Sequence, residues 1–385
     1  MKKVLIIGPI GDFGGRELEV GFIAHALRPT YDVTICSTGN VSNTSQVYHF
    51  NTKQKVVTLN QLVYKKYIGL KLLAHLSFLK NFNKALTVVN LTNNKLAKRF
   101  LNYNKKRLIV LKDLIYQFDA VFICAQLSSS LISEIIAISK AFHKPILFRT
   151  TGTIRNNMVS DSAIFKKIDV FIHHSINNAS NFENYYFKHS YVLIDQCAFN
   201  EIDLLKVPLK ERKIKKFIVL SRLSIEKQVD IVIKAFDAVS EEGDCLYIYG
   251  DGEEKENLKI LKFKSTIIFK GFVKQSDLPT IFNESDCLIV SSLDEAGPLT
   301  GLEAMASGVL TISTRVGAME ERLENDCFWY NGTQEDLEAR FKEVKKLSSK
   351  EVHELSKKVR ERYLKSYRIA TIERKYLEVV DAYIK

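Results

Sequence analysis

Long apolar runs are absent from the 385-residue chain. No stretch approaches the roughly 18 residues that a membrane-spanning helix requires, and the first apolar run, Val4–Ile10, is broken by Gly8 and Pro9 and stopped by Gly11 and Asp12. Neither a spanning helix nor a signal peptide is expected. Paired cysteines are absent too: Cys36, Cys124, Cys197, Cys245, Cys287 and Cys327 stand singly, without CxxC or Cys/His ligand spacing. Such residues are expected as small buried side chains in a reducing compartment, so the protein is expected to be cytoplasmic and free of metal. No repeat of fixed period and no low-complexity tract occurs. Acid is scarce in one place: residues 51–120 carry fourteen Lys or Arg against Asp113 and Asp119 alone, which accounts for the whole net charge of +12. No nucleic-acid recognition motif accompanies that charge, so nucleic acid is not the expected partner.

What is present suffices for two cores. The chain is 46% hydrophobic and 26% charged, and it is about twice the usual single-domain length. Short apolar runs alternate with helical stretches, the pattern of a doubly wound α/β sheet. Strands are predicted at Lys3–Ile7, Asp32–Ser37, Ala120–Cys124, Pro145–Arg149, Val170–His173 and Tyr191–Ile194, with a helix over Glu17–Leu27. The pattern restarts at Lys216–Leu220, Cys245–Gly250, Thr266–Phe269, Cys287–Val290 and Val309–Ser313. Two Rossmann-like halves result, 1–206 and 216–370, joined by a polar linker at 207–215 that contains Pro208. The spacing of Ile372, Tyr376, Val379 and Tyr383 predicts a closing helix over 371–385 that packs back across the domains.

The sharpest constellation runs from Ser291 to Gly308. A buried strand ends at Val290, a Gly/Pro loop follows, and a helix of small residues is predicted from Leu299, with Pro298 suited to its start. Such a loop presents backbone N–H groups at a helix N-terminus, where phosphate binds. Glu295 lies at the carboxyl end of a strand, where open α/β sheets hold ligands, and Glu303 follows about two turns later. A carboxylate near a helix start can accept two hydroxyls of a sugar or ribose; equally, Glu295 reads as a solvated loop acid and Glu303 as a helix-face acid. A second cluster, Ser221 to Lys227, follows the strand Lys216–Leu220. Arg222 offers a planar fork and Lys227 a point charge, the two ways of neutralising a diphosphate leaving group. An exposed basic loop is the alternative.

In order and spacing, Ser221-Arg222-Leu223-Ser224 with Glu226, Lys227 and Asp230, then Gly250-Asp251-Gly252, Phe269 to Val273, the Glu295/Glu303 pair and Val316-Gly317 resemble the donor half of GT4-type (glycosyltransferase group 1) retaining glycosyltransferases. The resemblance is close over residues 216–320. It implies a GT-B fold, two Rossmann-like, doubly wound parallel-sheet domains facing a cleft, with a C-terminal helix crossing back. It further implies that a hexose passes from a nucleoside-diphosphate sugar to a saccharide or lipid-linked saccharide, with retention and without metal or other cofactor, in polysaccharide or surface-glycan biosynthesis. Under that resemblance Arg222, Lys227 and Glu295 carry the catalysis, the two cations on the diphosphate and Glu295 on the sugar hydroxyls. Glu303 takes the ribose, the backbone of Gly297, Pro298 and Leu299 assists, Gly250 and Gly252 belong to the donor loops, and the backbone at Phe272 and Val273 faces the base.

In the first half, Gly8 to Gly15 forms a glycine-rich turn that misses the GxGxxG spacing. The resemblance assigns Gly14 and Gly15 to the donor phosphates; a plain strand-to-helix turn is the alternative. The histidines common in the family are missing. Cys124 stands at or near one such place, with Gln126 and Ser128 just beyond, and Thr151 stands at another. Cys124, Gln126, Thr151 and His173 are therefore the acceptor-side candidates, although His173 and His174 read more readily as structural. This atypical pocket keeps a second reading open, a non-catalytic glycosyltransferase-like partner that binds nucleotide or glycan. Within the basic segment, Ile68, Leu72, Leu76 and Leu79 form a helical stripe flanked by Lys65, Lys66, Lys71, Lys80 and Lys84. Such a helix suits peripheral attachment to an anionic membrane surface, here the inner face of the cell membrane. The alternative is a stripe packed on its own core beneath a solvated basic rim.

Overall fold

Near-continuous runs of Val, Ile and Leu suit strands covered on both faces, and here they form two all-parallel sheets. The computed structural model describes residues 1–80, 87–159 and 162–384, so Lys84 of the basic stripe lies outside the described residues. The chain divides into unit 1, Met1–His173 with Ala179–Ile194 and Glu373–Lys385, and unit 2, His174–Asn178 with Asp195–Ile372.

Unit 1 holds β1 (Lys3–Gly8), β2 (Asp32–Ser37), β3 (Val56–Thr58), β4 (Ala120–Ala125), β5 (Ile146–Thr150), β6 (Val170–His173) and β7 (Tyr191–Leu193), in the order β3-β2-β1-β4-β5-β6-β7. Unit 2 holds β8 (Lys216–Leu220), β9 (Cys245–Tyr249), β10 (Thr266–Gly271), β11 (Cys287–Val290), β12 (Leu310–Thr314) and β13 (Phe328–Tyr330), in the order β10-β9-β8-β11-β12-β13. In both sheets the strands run outward in two directions from the first one. Each sheet therefore has a switch point, β1/β4 in unit 1 and β8/β11 in unit 2, and ligands of such sheets bind outside the carboxyl ends of those strands. The three-residue strands β3 and β13 are not among those expected from the sequence.

Residues 207–215, expected as a linker, belong to unit 2. Lys210 is buried there and its ammonium donates to the carbonyls of Phe282, at 3.0 Å, and of Asn283 and Ser285, while Arg212 pairs with Asp286. The hydrogen-bonding demand of a buried ammonium ties the segment down. The closing helix spans Ile369–Tyr383, and its residues from Glu373 onward belong to unit 1.

Unit 1 is keyed by a buried ion pair. Arg149 on β5 and Glu19 on the helix Gly15–Leu27 have side chains 0% and 2% exposed. Arg149 Nε donates to Glu19 Oε1 at 2.7 Å, and Tyr376 Oη donates to the same oxygen at 3.0 Å. Removing one partner strands the other charge in an apolar interior. Glu19→Gln and Arg149→Met are each expected to lower stability by about 3–5 kcal/mol, and the double variant by clearly less than their sum. Urea melts followed by circular dichroism check this; additive losses would refute the pairing as the source.

Candidate functional site

In unit 2 the loops that follow β8 and β11 meet at the switch point. Ser291 Oγ donates to the Lys227 carbonyl at 2.6 Å and the Leu293 N–H to the Glu226 carbonyl at 2.8 Å, stitching the two loops together. The Lys227 ammonium is thereby brought onto the Glu295 carboxylate, which also accepts from Ser292 Oγ at 3.3 Å. Glu295 lines a small pocket of about 20 Å³ with Ser221, Ser291, Ser292, Pro298 and Thr300. Arg222 stands apart from that pair, exposed, with Nη2 3.0 Å from a Glu253 carboxylate oxygen. Gly250 and Gly252 serve backbone packing: a Cβ on Gly250, whose φ is 139°, would lie 1.8 Å from the Ser221 carbonyl oxygen, and one on Gly252 2.2 Å from that of Leu223. Just past β10, Phe272 is exposed and Val273 half-buried.

A residue that the sequence did not single out shapes the Glu295 loop. Arg322 is fully buried, binds both carboxylate oxygens of Asp195 at 2.7 and 2.6 Å, and donates to the Pro298 carbonyl at 2.6 Å. Gly297 makes room for it, since a Cβ there would lie 2.7 Å from Arg322 Nη2. Pro298 in turn caps the helix Leu299–Ser307. In sequence, Arg322 follows Glu320 and Glu321 and reads as a solvated helix face. Only the fold brings Asp195 to it.

Glu303, on that same helix, is 1% exposed, and its Oε1 has no hydrogen-bond partner among the described residues. Burial pushes its carboxyl up from 4.5 to about 7, with a hydrogen bond from Gln275 working the other way. Glu295 and Glu303 are therefore unlike: one is salt-bridged to Lys227, the other is a buried acid beside Gln275.

In unit 1, Gly14 caps the helix Gly15–Leu27 with φ at 142°. Its N–H donates to Gln46 Oε1 at 2.7 Å, and the Gly11 N–H donates to Glu17 Oε1 at 2.8 Å, so the turn already satisfies part of its own backbone. Gly15 is exposed, with open space where a Cβ would sit. Cys124 lies one residue before the end of β4, fully buried, and burial holds its thiol well above the ordinary range. Thr151 follows β5, its N–H donating to the Ala125 carbonyl at 3.0 Å while its buried Oγ1 has no partner among the described residues. Gln126 is exposed against Gly152. These three are neighbours at the carboxyl ends of β4 and β5.

His173 departs from them. It is fully buried, with Nδ1 2.9 Å from Thr150 Oγ1 and Nε2 2.7 Å from His189 Nε2, and it stacks on Phe171. Burial, aided by His189 and Arg149, pushes it down to about 3. Both ring nitrogens are engaged, so His173 is a core histidine and not an acceptor-side group.

Glu303 has a consequence for pH. Its neutral form is the one favoured by folding, so its contribution is full below pH 4.5 and is lost as pH rises through about 7. Glu303→Gln should match the wild type in urea melts below that window and exceed it above by a few kcal/mol. Equal pH profiles for the two proteins would contradict this.

Residues 201–362 match the family described as glycosyl transferases group 1. Among curated proteins, the N-acetyl-alpha-D-glucosaminyl L-malate synthase of Bacillus anthracis is 29% identical over 216 residues, 53% of this chain and 56% of that protein. The mannosylfructose-phosphate synthase of Agrobacterium fabrum is 32% identical over 27% of this chain and 26% of its own, and the alpha-monoglucosyldiacylglycerol synthase of Streptococcus pneumoniae 34% over 26% and 24%. The matches thus span between about a quarter and just over half of these relatives. Among solved structures, Anabaena HepE in complex with UDP-glucose superposes with a TM-score of 0.73 at 15% identity, over 99% of this chain and 100% of that one. A glycosyltransferase from Rickettsia africae superposes at 0.71 and 16%, over 100% and 99%. The chain is thus built on the two Rossmann-like sheets of a GT-B fold, and its residues 201–362 carry the match to the glycosyl transferases group 1 family.

Proposed function

We propose that the protein transfers a hexose from a nucleoside-diphosphate sugar to a hydroxyl of a saccharide or lipid-linked saccharide, retaining the anomeric configuration, as a GT4-type enzyme of polysaccharide or surface-glycan assembly. The observation that carries this reading is the Lys227–Glu295 pair at the β8/β11 switch point, beside the helix that starts at Leu299. An incoming diphosphate competes with Glu295 for the Lys227 ammonium, and Arg222, exposed on the same loop, exchanges Glu253 for the same anion. Backbone N–H groups at the start of Leu299–Ser307 add their dipoles. Released from Lys227, Glu295 accepts hydroxyls of the transferred sugar. Glu303 accepts those of the ribose, which supply the donors that its Oε1 lacks. The leaving charge is thus held by fixed cations and amides, chemistry that needs no metal, and the departing phosphate takes the proton of the attacking hydroxyl.

Gly14 and Gly15 are assigned to the donor phosphates and Cys124, Gln126 and Thr151 to the acceptor side. The HepE neighbour bound to UDP-glucose makes uridine nucleotides the first donors to test, and the diacylglycerol named for the Streptococcus relative favours a lipid-bearing acceptor. The cytoplasm is the setting we assign; no helix among the described residues is long and apolar enough to cross a membrane.

One observation favours the second reading, a non-catalytic nucleotide- or glycan-binding partner. The acceptor-side positions at β4 and β5 hold a fully buried thiol, Cys124, and a threonine, and the nearby His173 is sealed in the core. Chromatographic detection of nucleoside diphosphate released from a panel of UDP-, GDP- and ADP-sugars separates the two. Turnover should fall by about 10²–10³ in Arg222→Ala and in Glu295→Ala. Tight nucleotide binding with no release from any donor and acceptor would leave only the partner reading.

A further inference from the structure

The apolar stripe of the basic segment faces outward. The helix Ile68–Lys80 packs inward through Leu70 and Ala74, both 0% exposed, whereas Ile68, Leu72, Leu76 and Leu79 are 77%, 61%, 59% and 70% exposed. A stripe packed on its own core is thereby ruled out. An amphipathic helix of a globular unit buries its aliphatic stripe, so four consecutive outward aliphatics mark a face built for another phase.

The next helix, Lys95–Phe100, repeats the arrangement: Ala97 is buried while Leu96 and Phe100 are 50% and 65% exposed. The two helices adjoin, since Asn94, the N-cap of the second, donates from Nδ2 to Ser77 Oγ of the first at 3.0 Å. Lys65, Lys71, Lys80, Lys95, Lys98 and Arg99 are exposed on or beside them. The segment's acids do little to offset this charge, because Asp113 is paired with Lys66 and Asp119 accepts from the Lys3 N–H.

We propose that this face docks on an anionic lipid bilayer, with the leucines entering the boundary between headgroups and acyl chains and the lysines lying over the phosphates. The charge decides the occupant. A second copy of the chain would press two cationic surfaces together; an anionic membrane accepts both the cations and the aliphatics. At 13 residues the helix lies in the interface plane and does not span it. The inference goes beyond the transfer reaction, and its test reads binding alone, so it stands or falls apart from the catalytic reading.

Flotation of the full chain with vesicles of phosphatidylcholine alone, or with about 30% phosphatidylglycerol, tests it. The wild type should bind the anionic vesicles at least about tenfold more tightly, and added salt should weaken that binding. Leu72→Ser/Leu76→Ser should lose about tenfold in affinity with an unchanged melting temperature, because both side chains point into solvent. Lys71→Glu/Lys98→Glu, which keeps every leucine, should lose a similar factor and guards against a folding defect in the first variant. Binding that ignores anionic lipid, or that both variants retain at wild-type strength, overturns the proposal. So does a lipid-free dimer that Leu72→Ser/Leu76→Ser dissociates, which would assign the face to a second copy.

Discussion

The buried guanidinium of Arg322 is the constraint on which the unit 2 site depends. A charge removed from water is tolerated only when paired and fully hydrogen-bonded, and Arg322 achieves this through both oxygens of Asp195 and the Pro298 carbonyl. Those partners cannot drift without exposing the charge to an apolar interior. Pro298 is thereby fixed, and with it the first turn of Leu299–Ser307. The Ala318 N–H, bonded to the Ala296 carbonyl at 3.0 Å, holds the residue next to Glu295. A loop of glycine, proline and alanine, which would otherwise be soft, becomes a rigid mount for one carboxylate.

Unit 1 uses the same device. Arg149 and Arg322 are both fully buried, and each is matched by a single acid. Arg149 lies near the carboxyl end of β5, and Arg322 on the helix Met319–Leu323 that follows β12. The loops that carry chemistry in such sheets emerge at these ends. Ordering them with buried ion pairs keeps them defined without filling their crevices with apolar side chains.

The charged groups of the site are close to self-neutralised. Lys227 and Glu295 cancel one another, Arg222 is balanced by Glu253 in solvent, and burial favours the neutral form of Glu303. On the proposed reading, a diphosphate draws the cations to itself and leaves the carboxylates free for hydroxyl donors. The positive potential that remains is carried elsewhere, by residues 51–120, whose cations outnumber their acids by the whole net charge of the chain.

The sequence by itself determined the two doubly wound sheets, because β-rich apolar runs of this length cannot be satisfied in any other layer arrangement once helices separate them. It also determined the loop and helix start at Pro298, whose backbone chemistry is local. What it left open were long-range meetings. Nothing local distinguishes Glu295, which meets Lys227, from Glu303, which is buried on its helix, nor reveals that Asp195 closes on Arg322. His173 ended a strand as expected, yet its neighbours His189 and Phe171 made it part of the core. The stripe of Ile68, Leu72, Leu76 and Leu79 was plain from spacing, but which side of the helix the rest of unit 1 covers was not. A period states that a face exists; only the packing of Leu70 and Ala74 decided that this one looks outward.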